Sequence, residues 1–168
     1  MPWDLRPVGI DFLDTAPYRH VSTEVVHRPA EAIFAAIATD PAGWGTWFPG
    51  FNRAGRYLSD PPHGVGSVRE VSMAQIRYTE TILAWDEPDR WAFRVTRSTA
   101  PLAYAMAEEY RVSSHGHHSV VQWTFAIDPR PILARATSLA DVILPRMFRR
   151  AMTNLSVRLT EAAGPDPA

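Results

Sequence analysis

The sequence predicts an α+β fold in which one antiparallel sheet packs against a long C-terminal helix. One strand-like segment precedes two short helical segments, and about six further strand-like segments follow, separated by turn residues. The last part of the chain carries an apolar stripe at helical spacing. Strands joined by short turns pair antiparallel, and a single apolar helix needs the face of a sheet to lie against.

Length and composition limit the classes of function to consider. The 168 residues suffice for one domain, and the net charge of −1 gives no general reason to bind nucleic acid. The chain has no cysteine, which excludes disulfides, and no apolar run as long as a membrane span. Its basic residues are all arginine, which favours a bacterial origin. We expect a cytoplasmic protein without a signal peptide and without membrane insertion.

The first strand follows a proline-rich N-terminal segment. Residues 1–18 have no sustained period, so we expect an irregular arm there, then one domain over residues 19–163 and a flexible tail at 164–168. Between Arg19 and Val26, polar and apolar side chains alternate, which predicts a strand.

Two short helices are predicted after this strand. Pro29 stands where a first helical residue would, and the helix should end at Asp40, because the next residue is Pro41. Asp40 can then cap a second short helix. That helix carries three aromatic residues, Trp44, Trp47 and Phe48.

The middle of the chain is predicted to form a series of hairpins. Its turn signals are rich in proline, glycine and aspartate, which favour tight reversals. The expected strands are 53–59, 66–73, 76–86, 90–97, 102–113 and 118–127.

A long helix is predicted to end the domain. It should begin at Pro131 and reach about residue 163, with Pro145 marking a kink or a restart. Its apolar stripe advances by three or four residues and consists of Leu144, Phe148, Met152, Leu155 and Leu159.

Four segments, taken in their order and spacing, resemble those of a known family. They are VHRPAEAIF at 26–34, DPAGWGTWFP at 40–49, GVGSV at 64–68 and YTETILAWDEPDR at 78–90. Over residues 19–163 the chain resembles the helix-grip superfamily, which includes the START lipid-transfer domains and the birch-pollen allergen. Within it, the chain is similar to the bacterial polyketide cyclase/dehydrase and lipid-transport group, the SRPBCC proteins.

The resemblance implies a helix-grip fold, in which a curved sheet of about seven strands wraps around the C-terminal helix. It also implies a cavity between sheet and helix for an apolar small molecule. Taken singly, each aromatic residue of the inner face could equally fill an ordinary core. The expected ligand-binding residues are Trp47, Phe48, Arg69, Met73, Tyr78, Glu80, Trp91, Phe93, Tyr104, Met106, Glu108, Tyr110, Trp123, Phe125, Phe148 and Met152.

Strand alternation brings three charged side chains to the predicted inner face. A two-residue turn at Ala74-Gln75 would set Arg69 directly opposite Glu80. Glu108 is the third charged residue of this face. These groups could anchor a ligand carbonyl or phenol. They could equally form a structural ion pair, or lie in water if the strands slip by one residue.

The last hairpin is expected to set Glu108 near Trp123. In the register that we predict, Tyr110 lies opposite Val121. The indole and the carboxyl would then share the inner face.

Other candidate sites are weaker. The histidines within residues 115–118 fall in a presumed turn without neighbouring acids, so we expect a solvated turn and no metal site. No nucleophile or nucleotide-binding motif is present, and we expect no cofactor. Arg146, Arg149 and Arg150 are interpreted as a solvated face, with docking of an acidic carrier protein less favoured. A weak homodimer stays open.

The sequence favours a binding protein and leaves an enzyme as the alternative. We expect one hydrophobic molecule, lipid-like or aromatic and polyketide-like, in the internal cavity. The alternative is an enzyme of the polyketide cyclase/dehydratase type with an inner carboxylate as general acid or base. Its candidate catalytic residues are Glu80 and Glu108, with Arg69 to polarise a carbonyl.

Overall fold

Eight strands form one antiparallel sheet in residues 2–134 and 137–163, the parts of the chain that this computed structural model describes. The strands are β1 (Trp3–Asp4), β2 (Tyr18–Val26), β3 (Arg56–Tyr57), β4 (Val68–Met73), β5 (Ile76–Asp86), β6 (Arg90–Ser98), β7 (Ala103–His115) and β8 (His118–Pro129). The sheet follows the order β2-β8-β7-β6-β5-β4-β3, and β1 pairs with β6 outside this path.

The helices lie before, between and after these strands. The long C-terminal helix packs against β2 and against the short aromatic helix. The curved sheet and this helix confirm the predicted helix-grip fold. The helices are α1 (Phe12–Thr15), α2 (Ala30–Phe34, continued by a π-helical turn over Ala35–Thr39), α3 (Trp44–Trp47), α4 (Pro131–Ala134) and α5 (Thr137–Ala163).

The buried face of α5 follows the predicted stripe. Phe148, Met152 and Leu155 are fully buried, whereas Leu144 is half-buried. Pro145 lies inside α5, which continues through it, so a helix restart at this proline is wrong. A proline removes one helical hydrogen bond, and packing on either side of it can still hold the helix together.

Two hydrogen bonds fix the segment that links α2 to α3. Pro29 is expected as the first helical residue, but it precedes α2 with φ −60° and ψ 148°, and the helix begins one residue later at Ala30. Oδ1 of Asp40 accepts a hydrogen bond from the backbone N–H of Gly43 at 2.9 Å. Nε1 of Trp44 donates to the carbonyl of Ile37 at 2.9 Å. These bonds hold the Trp44 ring against the inner face of the sheet.

The predicted two-residue turn between β4 and β5 is present. Ala74 and Gln75 have φ values of 49° and 65°, the left-handed pair that suits the twist of a tight hairpin. With this turn in place, Arg69 lies directly opposite Glu80, as the sequence predicts.

The register between β7 and β8 differs by two residues from the prediction. Tyr110 lies opposite Trp123 and not Val121. The reason is the position of the turn, since Gly116 takes a left-handed φ of 68° and His115 already pairs with His118. The hairpin therefore reverses one residue later than expected.

The N-terminal segment is more regular than the irregular arm expected for residues 1–18. The N–H of Leu5 donates to the carbonyl of Thr96 on β6, and that of Arg6 donates to Tyr104 on β7. The segment thus bridges two strands where they diverge. Further along, it packs apolar side chains on the alanine-rich outer face of the sheet: Val8, Phe12 and Leu13 against Ala84, Ala92, Ala105, Ala107 and Ala126.

Two expectations concern the tail and membranes. The flexible tail expected at residues 164–168 lies outside the described residues. In the two described ranges, no helix is both long and apolar enough to cross a membrane.

Candidate functional site

A cavity of about 350 Å³ lies between the inner face of the sheet and the helices. This size is within the range of small-molecule sites. Among the described residues, the polar side chains of its lining are those of Tyr18, Tyr78, Glu80 and Glu108. The other described lining residues are apolar: Trp44, Phe48, Phe51, Met73, Leu102, Met106, Trp123, Phe125, Ile127, Leu133, Ala140, Leu144 and Met147.

Part of the predicted ligand-binding set lines this cavity. These residues come from the end of α3 and from β4, β5, β7 and β8, which the predicted strand phase brings to one face. They are Phe48, Met73, Tyr78, Glu80, Met106, Glu108, Trp123 and Phe125.

Another part of the predicted set is buried beside the cavity without lining it. Alternation identifies the inward face of a strand, but it does not tell how far along that face a cavity opens. These core residues are Trp47, Arg69, Trp91, Phe93, Tyr110, Phe148 and Met152.

Tyr104 is wrongly predicted, since its side chain is 44% exposed and lies outside the cavity. The pairing of β7 with β8 is irregular between Ala103 and Ala105, and such a bulge changes the face on which a side chain emerges. The ring of Tyr104 instead lies 4.5 Å from the guanidinium carbon of Arg130.

Sequence reasoning missed several lining residues. Trp44 and Phe48 both line the cavity, and their i, i+4 spacing on a helix is a signal that could have found Trp44. Leu144, which belongs to the apolar stripe predicted to face the sheet, lines the cavity as well. The other missed residues are Tyr18, Phe51, Leu102, Ile127, Leu133, Ala140 and Met147.

Arg69 is buried behind the aromatic lining. Its exposed fraction is 0%, and its Nε donates to Oε2 of Glu80 at 2.5 Å. The guanidinium carbon lies 4.8, 4.3 and 4.9 Å from the ring centres of Trp44, Trp91 and Phe93. No described residue accepts a hydrogen bond from Nη1 or Nη2, and the guanidinium instead lies against the faces of these rings.

Glu80 connects this buried cation to the cavity, which it lines. Burial raises the pKa of Glu80, while the charge and the hydrogen bond of Arg69 act in the opposite direction. Because a guanidinium stays charged in proteins, the direct contact makes Glu80 the counter-ion of Arg69.

Glu108 has no such cation in direct contact within the described structure. Its Oε2 accepts a hydrogen bond from Nε1 of Trp123 at 2.8 Å, and the hydroxyl of Tyr110 lies 3.5 Å from the same oxygen. The predicted proximity of Glu108 and Trp123 is therefore present, although the pair is diagonal. Burial and then the nearby charge of Glu80 raise the pKa of Glu108 to about 8. At neutral pH this carboxyl is mostly protonated.

Tyr78 adds a hydroxyl to the lining. Burial, Glu108 and Glu80, in this order, raise the pKa of Tyr78 to about 12, so its phenol stays neutral. Together with the protonated Glu108, it gives the cavity O–H groups that can donate to a ligand oxygen.

Tyr18 and α5 meet at the edge of the cavity. The hydroxyl of Tyr18 donates to Oδ1 of Asp141 on α5 at 2.6 Å. Burial, followed by this carboxylate, raises the pKa of Tyr18. Nδ1 of His20 lies 3.9 Å from the same oxygen of Asp141. These contacts link the first turns of α5 to β2.

The remaining predicted features lie away from the cavity. His115 and His117 are exposed at the β7–β8 turn, and the described residues contain no group of three or more ligating side chains that could hold a metal. Arg146 and Arg150 are exposed, and Arg149 bonds through Nε to Oε1 of Glu24 at 2.9 Å. These features add no group to the cavity.

Fold and site together define a helix-grip domain with an internal apolar cavity. The chain belongs to the polyketide cyclase/dehydrase and lipid transport family, whose sequence model matches residues 18–163. The resemblance to the SRPBCC group is thereby confirmed. Membership supports a hydrophobic ligand-binding or cyclase role.

Known proteins similar to this chain agree with that assignment. An uncharacterized protein of Mycobacterium tuberculosis (strain ATCC 25618 / H37Rv) is 29% identical over 160 residues, which are 92% of this chain and 95% of the relative. The Zhui aromatase/cyclase from Streptomyces sp. R1128 has a TM-score of 0.71 at 20% identity, covering 89% of this chain and 99% of that one. A START superfamily protein from Mycobacterium smegmatis has a TM-score of 0.69 at 11% identity, covering 86% and 98%. At these identities, the two structures show a common fold.

Proposed function

We propose that this protein binds one hydrophobic small molecule, lipid-like or aromatic, in the cavity between its sheet and α5. The observation that carries the proposal is the lining, in which apolar side chains surround about 350 Å³ and four of the described lining residues are polar. A ligand in the cavity would remove apolar surface from water, and each Å² buried contributes about 25 cal/mol to the free energy of binding. The family's lipid-transport description supports this function.

Native mass spectrometry of the purified protein tests the proposal directly. We expect a bound small molecule that is released on denaturation. An environment-sensitive apolar dye gives a second measurement, with Leu144→Trp as the blocking variant, because Leu144 lines the cavity. The larger indole should weaken dye binding by about tenfold or more.

Val157→Trp is the matched control, since Val157 lies on the same helix and is 54% exposed. It should bind the dye like the wild type, and thermal unfolding should show that both variants fold. The proposal fails if the protein carries no small molecule and the dye binds both variants equally.

A second candidate function is acid–base catalysis on an apolar carbonyl compound. The observation that favours it is Glu108, a carboxyl that lines the cavity and keeps its proton near neutral pH. Such a group can protonate a carbonyl oxygen while a carboxylate such as Glu80 removes a C–H proton. The similarity to an aromatase/cyclase structure agrees with this chemistry.

A further inference from the structure

The described lining of the cavity is unevenly charged. Glu80 and Glu108 contribute two carboxyls, whereas no lysine, arginine or histidine lines the cavity in the described residues. Arg69, the cation paired with Glu80, is fully buried, and its guanidinium lies against the rings of Trp44 and Trp91. Among the described residues, a ligand in the cavity therefore meets acids directly but no exposed cation.

An anionic ligand would find no free cation among the described lining residues. The Nε of Arg69 already donates to Glu80, so a ligand carboxylate could reach the guanidinium only by displacing Glu80 or an aromatic ring. It would also place its charge near that of Glu80, in surroundings where water screens little. Burying an unpaired charge in this way is strongly unfavourable.

An uncharged ligand oxygen, in contrast, could accept hydrogen bonds from the lining of the cavity. Both described donors to Glu108, the indole of Trp123 and the hydroxyl of Tyr110, point to Oε2. This arrangement leaves Oε1 to carry the acid proton and to donate it to a ligand. The hydroxyl of Tyr78 lines the same cavity as a second donor. A ketone, ester or alcohol can accept such a bond without bringing a charge into the protein.

We propose that the cavity selects its ligand by charge, an inference that rests on the proposed function. It accepts a hydrophobic molecule that ends in an uncharged oxygen and rejects the same molecule when it ends in a carboxylate. Its occupant is then a ketone, ester, alcohol or phenol, and not a free fatty acid or an aromatic acid. Ammonium ligands are disfavoured as well, because the carboxylate of Glu80 is already paired with Arg69 and the rest of the described lining is mostly apolar.

Four naphthalene probes test this selectivity by titration calorimetry at pH 7. They are naphthalene, 2-acetylnaphthalene, 2-naphthoic acid and 2-(aminomethyl)naphthalene, which share one apolar body and differ in the polar end. We expect the ketone to bind at least about tenfold more tightly than the carboxylate and the amine. Naphthalene itself should bind measurably, because the apolar lining accepts its rings.

Variants at Glu108 identify the group responsible. Glu108→Met removes the donor and should bring the affinity for the ketone close to that for naphthalene. Glu108→Gln keeps an N–H donor of similar shape and should lose less. Glu70→Gln is the control, because Glu70 lies outside the cavity and bonds to Arg56; it should leave all four affinities unchanged.

The outcomes separate the two proposals. If naphthalene and the ketone both fail to bind, the proposed binding function itself is wrong. If naphthalene binds but the carboxylate binds as tightly as the ketone, the charge selectivity is overturned and the binding function stands. Tighter binding of the amine than of the ketone would also overturn it, since the cavity would then prefer a cation.

Discussion

Arg69 and Glu80 form a buried ion pair across β4 and β5, with Nε and Oε2 2.5 Å apart and side-chain exposures of 0% and 4%. Removing either partner leaves an isolated charge in the interior. We expect Arg69→Met to lower the free energy of unfolding by about 3–5 kcal/mol. The double variant with Glu80→Gln should lose less than the sum of the single losses. Urea titration of the wild type, both single variants and the double variant measures this coupling.

The pair of Arg97 and Asp4 is the matched control. Its Nε and Oδ1 are 3.0 Å apart, but the side chains are 56% and 78% exposed. Exposed pairs contribute about 0–1 kcal/mol, so Arg97→Met should have a small effect. Additive losses at Arg69 and Glu80 would contradict the coupled pair.

This pairing could be predicted from the sequence, whereas the register of the last hairpin could not. Side chains alternate along a strand, and a two-residue turn at Ala74-Gln75 leaves one register for β4 and β5. At the other hairpin, the position of the left-handed Gly116 decides which residues face each other. The composition of that turn is compatible with a chain reversal at neighbouring positions. A reversal shifted by one residue along the chain shifts the partner of every residue in the hairpin by two.

The sequence also could not predict which residues of α5 line the cavity. The apolar stripe identifies the buried side of the helix, but packing against β2 and α3 sets where the helix crosses the sheet. As a result, Leu144 and Met147 line the cavity, while Phe148 and Met152 belong to the core. Bulges such as that beside Tyr104 depend on the partner strand and leave little local signal.

The raised pKa of Glu108 predicts how stability depends on pH. Its folded-state pKa is about 8, against an ordinary value of 4.5. Between these values the folded protein keeps the proton that the unfolded chain releases, so the free energy of unfolding should fall as the pH rises from about 5 to 8. Glu108→Gln should remove this slope and be relatively more stable at pH 8, by a few kcal/mol at most.

Urea titrations at pH 5, 6, 7 and 8 measure this difference. Glu70→Gln is the control, because Glu70 is a carboxylate on the same sheet outside the cavity. The free energy of unfolding of this variant should depend on pH as that of the wild type does. Parallel curves for the wild type and Glu108→Gln would show instead that Glu108 is ionised throughout this range.

The indole of Trp123 should tune the pKa of Glu108. Its hydrogen bond at 2.8 Å favours the charged carboxylate, so Trp123→Phe should raise the pKa of Glu108 further. Tyr110→Phe removes a donor at 3.5 Å, and its effect should be smaller. Carbon-13 NMR titration of the Glu108 carboxyl gives both midpoints. The hydrogen-bond explanation is wrong if Trp123→Phe lowers the midpoint or if Tyr110→Phe changes it more.

The bond between Tyr18 and Asp141 should hold the start of α5 over the cavity. Tyr18→Phe removes a 2.6 Å hydrogen bond and keeps the ring that lines the cavity. We expect faster amide hydrogen exchange in the first turns of α5, equivalent to about 0.5–1.5 kcal/mol, and faster release of a bound dye. Tyr57→Phe is the control, because its 2.6 Å bond goes to the carbonyl of Ala38. Equal exchange in α5 for both variants would contradict this role.

The last prediction separates a carrier from an enzyme. An aromatic 1,5-diketone can close a six-membered ring when the α-carbon of one ketone loses a proton and attacks the other carbonyl, and the product can then lose water. Such a compound would present an uncharged oxygen to Glu108 and an α C–H to the carboxylate of Glu80, which line the same cavity. The binding function predicts that the protein takes up such a compound without accelerating its cyclisation or dehydration, as followed by chromatography of the products. Wild type, Glu80→Gln and Glu108→Gln should then match the rate in buffer. A general acid or base typically contributes about 10²–10⁴-fold, so a wild-type rate that falls by such a factor in Glu108→Gln, with binding retained, would make the protein an enzyme. Leu144→Trp, which occupies part of the cavity, should weaken binding by about tenfold or more in either case and shows whether any measured turnover occurs there.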